Sequence, residues 1–187
     1  METLGLTLIG AVPLLTMRAF ADERARGTDE LLVSTSLAPG QIVVGKFAVV
    51  FLFVLAMMAA SFVYPASAIE RGGLGAQHLA AVFLGLTLHG IGIASIGLAC
   101  SAFTSSQLVA AVAGWAVAFV LWDFGWIEPF VSERAADVLN AFSLHPRYGS
   151  FSEGVVALDQ VVYFGALALV CMALARFSFH LRRVGSG

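Results

Sequence analysis

Charge is what this chain has least of. Only 12% of its 187 residues are Asp, Glu, Lys or Arg, while 59% are hydrophobic, and the formal net charge is -2. Soluble domains are about a quarter charged, so the polar residues here are too few to face water on every side. A basic stripe with interleaved aromatics is also missing, which excludes nucleic acid as a partner. Cysteine is scarce: Cys100 and Cys171 each lie in an apolar block with no Cys or His at metal-ligand spacing, and both read as small buried hydrophobes. The opening Met1-Glu2-Thr3 lacks the basic leader of a cleaved signal peptide.

Long apolar runs are what it does have. Five stand out, at residues 4–17, 42–64, 79–100, 108–127 and 161–179. A bilayer crossing needs about 20 residues at about 1.5 Å each, and all but the first reach or approach that length. The first is a partial span that covers about 21 Å as a helix. The pattern predicts an all-α, polytopic bundle of about five spans, forming one membrane domain over residues 1–187. If the spans alternate, Arg18, Arg24, Arg26, Lys46, Arg176, Arg182 and Arg183 fall on one side and Arg71, Arg134 and Arg147 on the other. That bias puts the first set and the C-terminus in the cytoplasm. Trp122, Phe124, Trp126 and Phe130 then form an interfacial belt at the outer end of the fourth span.

Two stretches outside the spans carry a pattern of their own. Residues 18–38 read as a cytoplasmic elbow, with Met17, Phe20 and Ala21 on one helical face, Gly27 as a break, and Thr28 capping a second short helix whose first turn holds Asp29 and Glu30. Pro39 suits the first turn of the next span. Residues 129–158 read as extracellular helices: Val131, Ala135, Val138, Leu139 and Phe142 share a face, the chain turns after His145-Pro146, and residues 151–158 dip back toward the membrane.

Candidate motifs have plain readings beside them. Gly40 to Lys46 spells G-x-x-x-x-G-K, but Phe47 stands where a phosphate loop needs Ser or Thr and no strand precedes it. Lys46 instead reads as an interfacial lysine that snorkels to headgroups. Gly85, Gly90, Gly92 and Gly97, with Ala94 and Ser101, offer small residues for close helix packing or for lining a substrate path. His89, near the middle of the third span, is either a neutral histidine bonded to a neighbouring helix or a pathway residue. Asp123 reaches water at a span end, and Glu70-Arg71 form a solvated turn. No catalytic or metal-binding constellation can be placed at one depth.

The elbow also carries a resemblance. Pro13-Leu14-Leu15-Thr16-Met17-Arg18, the acidic pair Asp22-Glu23, Gly27-Thr28-Asp29-Glu30-Leu31-Leu32 and Gly45-Lys46-Phe47 resemble the signature of ABC-2-type transporter permeases, closest to the gliding-motility and copper-enzyme-maturation branch. Residues 151–164, with Gly154, Asp159, Tyr163 and Phe164, resemble the stretch before that family's last span. The acidic pair departs from the usual two glutamates, and the family's N-terminal helix and first of six spans have no counterpart here.

The resemblance implies a type V exporter-like permease in a bacterial or archaeal inner membrane, with a cytoplasmic C-terminus. It implies that a coupling helix built on Arg18, Phe20, Asp22, Glu23, Arg24, Gly27, Thr28, Glu30 and Leu31 fits a separate ATPase. ATP would be bound by that subunit, and this chain would carry no cofactor and no catalytic residue. Two permeases, identical or not, would pair among membrane lipids around a path near His89, with an outer gate at Phe151, Gly154 and Asp159. Two other functions stay open: a non-transporting transducer driven by an ATPase, and an intramembrane lipid-modifying enzyme using His89 or the His145-Pro146-Arg147 turn.

Overall fold

A computed structural model describes residues 2–28, 39–61, 75–124 and 130–185. Among these every regular element is helical: α1 (Glu2–Thr16), α2 (Arg18–Ala25), α3 (Pro39–Ser61), α4 (Ala76–Phe103), α5 (Gln107–Trp122), α6 (Glu133–Phe142), α7 (Leu144–Ser152) and α8 (Leu158–Gly185). Four stretches, Gly5–Ala25, Gly40–Ser61, Gln77–Phe103 and Leu158–Leu181, are long and apolar enough to cross a membrane, and α5 is apolar but has 16 residues. The all-α polytopic class follows.

α4 is the axis of the bundle and packs against α1, α2, α3, α5, α7 and α8. Within its most apolar stretch 67% of the residues are buried, against 22% for α3, so α4 is enclosed while α3 faces lipid. Small residues make this enclosure possible, because helices in lipid associate by close approach and not by water exclusion. A Cβ on Gly97 would lie 2.1 Å from Thr16 Oγ1, and one on Gly114 would lie 3.3 Å from the Gly97 Cα, so α1, α4 and α5 meet where no larger residue fits. The small residues of α4 do not share one face. Gly85 meets Phe151, Gly90 meets Val54, Gly92 meets Phe164 and Gly97 meets Thr16, each on a different helix.

Several helix boundaries differ from the expected ones. α5 stops at Trp122, not Ile127, where Asp123 adopts extended backbone and Ser143 Oγ donates to the Trp122 carbonyl (2.9 Å). The His145-Pro146 stretch is no turn: it forms the first turns of α7, a position that suits proline because first-turn N–H groups lack helical acceptors. The return toward the bundle is made by Leu144, Tyr148 and Phe151, all buried, while Val155, Val156 and Leu158 are exposed. The elbow also begins differently. Met17 keeps right-handed helical backbone, so α2 leaves α1 without a loop and packs into the bundle end; it is not an independent surface helix. Expected features at residues 29–38, at the 65–74 loop with Glu70 and Arg71, and at Trp126 and Pro129 lie outside the described residues.

Candidate functional site

α2 is an eight-residue helix held at both ends and along its length. Its first N–H groups have no helical acceptors, and Met17 provides no side-chain cap. The cap comes from α4. Ser101 Oγ accepts from the backbone N–H of Phe20 (3.1 Å) and Ala21 (3.0 Å) and donates to the Met17 carbonyl (3.0 Å). The other end closes on Gly27 at φ 69, with Gly27 N–H donating to the Arg24 carbonyl (3.2 Å) and Thr28 N–H to the Glu23 carbonyl (3.0 Å). These are the two bonds of a Schellman cap, whose left-handed residue is usually glycine. The expectation that Gly27 ends this helix has that physical basis.

Between its caps α2 reaches every neighbouring span. Asp22 accepts from Gln107 Nε2 at the start of α5 (2.6 Å) and pairs with Arg26 (3.1 Å). Glu23 pairs with Lys46 of α3, whose ammonium also donates to the Ala19 carbonyl and lies 4.4 Å from the Phe20 ring centre. Lys46 therefore turns inward to a carboxylate and does not snorkel to headgroups. Arg24 is buried, donates to Ser178 Oγ on α8 (2.9 Å) and lies over Phe179. Ser178 in turn donates to the Ala102 carbonyl of α4. Phe20 packs edge-on to Phe179 with ring centres 5.3 Å apart. Arg18, Arg26, Gly27 and Thr28 are exposed, whereas Glu30 and Leu31 lie outside the described residues.

The opposite end of the bundle has a different character. His89, fully buried on α4, sits among Trp122 of α5 (5.2 Å between ring centres), Tyr148 of α7 (5.2 Å) and Phe164 of α8 (6.1 Å). The partner that a neighbouring helix offers His89 is the Gly5 backbone of α1, in loose geometry. Neither ring nitrogen makes a hydrogen bond of standard geometry among the described residues. Burial raises the Tyr148 phenol above its ordinary pKa, so it stays neutral.

The residues expected at an outer gate lie at this same end. Phe151 is buried on Gly85, where an added Cβ would come within 2.2 Å of the Phe151 Cβ. Gly154, at φ 84, closes the turn after α7 against His78. Asp159, on the first turn of α8, is exposed and 3.9 Å from Arg147. Arg147 also donates to the Ala141 carbonyl (2.9 Å) and stacks on Tyr163, whose hydroxyl donates to the Phe142 carbonyl (2.6 Å). The structure thus joins Phe151, Gly154 and His89 in one half of the molecule and the elbow residues in the other.

Gln107 and Ser178 escaped the sequence reading. Gln107 opens the apolar α5 and Ser178 follows the apolar stretch of α8, and a polar residue beside such a stretch was the available signal. His145 and His89 both pack on Trp122, with ring centres 5.1 Å and 5.2 Å from its own. Among the described residues no group of three or more His, Cys, Asp or Glu side chains is placed to hold a metal ion.

A family model described as ABC-2 family transporter protein matches residues 4–144, which spans α1 to the start of α7. No curated protein and no solved structure matches the chain. The chain belongs to the ABC-2 transporter family: it is an integral membrane protein and a permease component of an ABC transporter.

Proposed function

We propose that this ABC-2 family member is the membrane half of an exporter, in which two permease chains enclose the path and a separate ATPase drives them through α2. One observation carries the reading: α2 is bonded to α3, α4, α5 and α8 at once, through Lys46, Ser101, Gln107 and Ser178. A helix tied to four spans cannot tilt without moving them. ATP chemistry belongs to the partner, and this chain supplies the lever and the walls. The surplus of Lys and Arg beside α2 and at the end of α8 supports a cytoplasmic position for that end and for the C-terminus in the cell membrane.

The elbow residues then divide into two roles. Arg26, Gly27 and Thr28 form the face that meets the ATPase, a role the resemblance also gives Arg18, Glu30 and Leu31. Phe20, Asp22, Glu23 and Arg24 face inward and pass the movement on. Phe151, Gly154 and Asp159 serve as the gate at the far end.

The test separates docking from transmission in membranes that hold the permease with its cognate ATPase. Arg26→Glu is expected to reduce co-purification of the ATPase. Glu23→Gln is expected to leave co-purification intact and to reduce ATP hydrolysis stimulated by the permease. If Arg26→Glu and Glu23→Gln both bind and stimulate the ATPase like the parent, α2 is not the lever.

A further inference from the structure

Next to α2 the bundle opens sideways. A groove of about 540 Å3 runs between α1–α2 and α3, with Val12, Val50 and Val54 along its apolar length. Sites that hold a small molecule occupy about 300–1,000 Å3, so the space is large enough for an alkyl chain. Leu15, Val49 and Phe53 line it and are exposed by 48%, 67% and 53%, which makes the groove continuous with the surface that α3 offers to lipid.

The polar end has an unbalanced charge. Arg18, Glu23 and Lys46 stand there together. Glu23 and Lys46 neutralise each other in their ion pair. Arg18 is exposed and has no charged partner among the described residues, which leaves one positive charge at the mouth of an apolar slot. Lys46 lies eight residues before Val54 on α3, so the apolar slot extends about 12 Å below the charge. An apolar slot of that depth capped by one guanidinium complements an amphiphile with one anionic head. Guanidinium binds phosphate oxygens well because its N–H groups form a planar fork.

We propose that this groove binds an anionic phospholipid from the leaflet beside α2, with one acyl chain between α1 and α3 and the phosphate on Arg18. The bound lipid wedges α2 against α3. The inference rests on membrane insertion; Arg18 serves the lipid when no ATPase is bound, so the chain alone tests it, and its failure leaves the coupling role of α2 standing.

The test uses the purified full chain alone, in nonionic detergent, with retained lipids counted by native mass spectrometry. Phosphatidylglycerol and phosphatidylcholine with identical acyl chains are titrated separately. The parent is expected to retain one phosphatidylglycerol about tenfold more tightly than phosphatidylcholine, whose phosphate offers Arg18 the same oxygens but whose choline places a second positive charge beside the guanidinium. Arg18→Gln should bring the two lipids to equal retention, and Val50→Trp, which fills the slot, should remove both. Excess inorganic phosphate should not displace the phospholipid, because the chain supplies much of the binding. Arg18 is exposed, so its variant reports binding and not folding. Equal retention of the two lipids by the parent, unchanged selectivity in Arg18→Gln, or displacement by phosphate alone would each overturn the proposal. So would a dimer without retained lipid in which a cysteine at position 49 is buried against the second copy.

Discussion

The two ends of this bundle are closed by different chemistry. At the α2 end, side-chain hydrogen bonds and ion pairs run from one short helix to four spans. At the α7 end, rings from α5, α7 and α8 surround His89, and Phe151 rests on a bare glycine backbone. Polar bonds are few there: those of Arg147 and Tyr163 are on the exposed rim, and one, from Ser143 to the Trp122 carbonyl, is buried. Hydrogen bonds fix direction and break when their partners shift, whereas ring packing tolerates sliding as long as volume is kept. One end is therefore suited to transmit a movement rigidly, and the other to let helices shift past one another.

The strongest way to break that contrast is at Ser101. Ser101→Ala removes the cap from α2 and strands two N–H groups, at about 1–3 kcal/mol each. The expected outcome is a loss of about 2–6 kcal/mol in unfolding free energy, together with faster proteolysis between Arg24 and Arg26. A substitution at the other end should cost less. Gly85→Val drives a side chain into Phe151 and should destabilise by about 1–3 kcal/mol. It should also raise the reactivity of a cysteine placed at position 148, as α7 lifts away from α4. Smaller still, Tyr163→Phe removes one rim bond and should cost about 1 kcal/mol, measured by thermal unfolding in detergent. His89→Phe sharpens the comparison because its sign differs. Among the described residues the ring nitrogens make no hydrogen bond of standard geometry, so an apolar ring should leave stability unchanged or raise it by about 1 kcal/mol. A large loss on His89→Phe would show that the ring cluster itself depends on a directional bond.

Sequence patterning anticipated these two ends unequally. The apolar runs that became α3, α4 and α8 were legible because bilayer length and continuous hydrophobicity are local properties. Gly27 as a helix stop was legible too, since a left-handed cap is written in the one residue that adopts it. Arg24 was not: its buried position depends on Ser178, 154 residues away in the chain, and local periodicity cannot report such a partner. Lys46 misled for a related reason. A lysine near a span end usually reaches for water, and only the arrival of Glu23 from α2 turns it inward. The end of α5 at Trp122 escaped because hydrophobicity continues to Ile127 while the backbone is already extended at Asp123. The aromatic surround of His89 draws on three other helices, so no single stretch of sequence displays it.

The central claim is that movement imposed on α2 reaches the α7 end through bonded spans. Its most direct measurement is the ATP-dependent reactivity of a cysteine at position 155, just after α7, in proteoliposomes containing the permease and its ATPase. In a functional background the rate of modification should differ between the ATP-trapped and nucleotide-free states. Adding Ser101→Ala should abolish that difference while the ATPase stays bound. If the difference persists unchanged when α2 has lost its cap from α4, movement reaches the far end by another route and the account is contradicted.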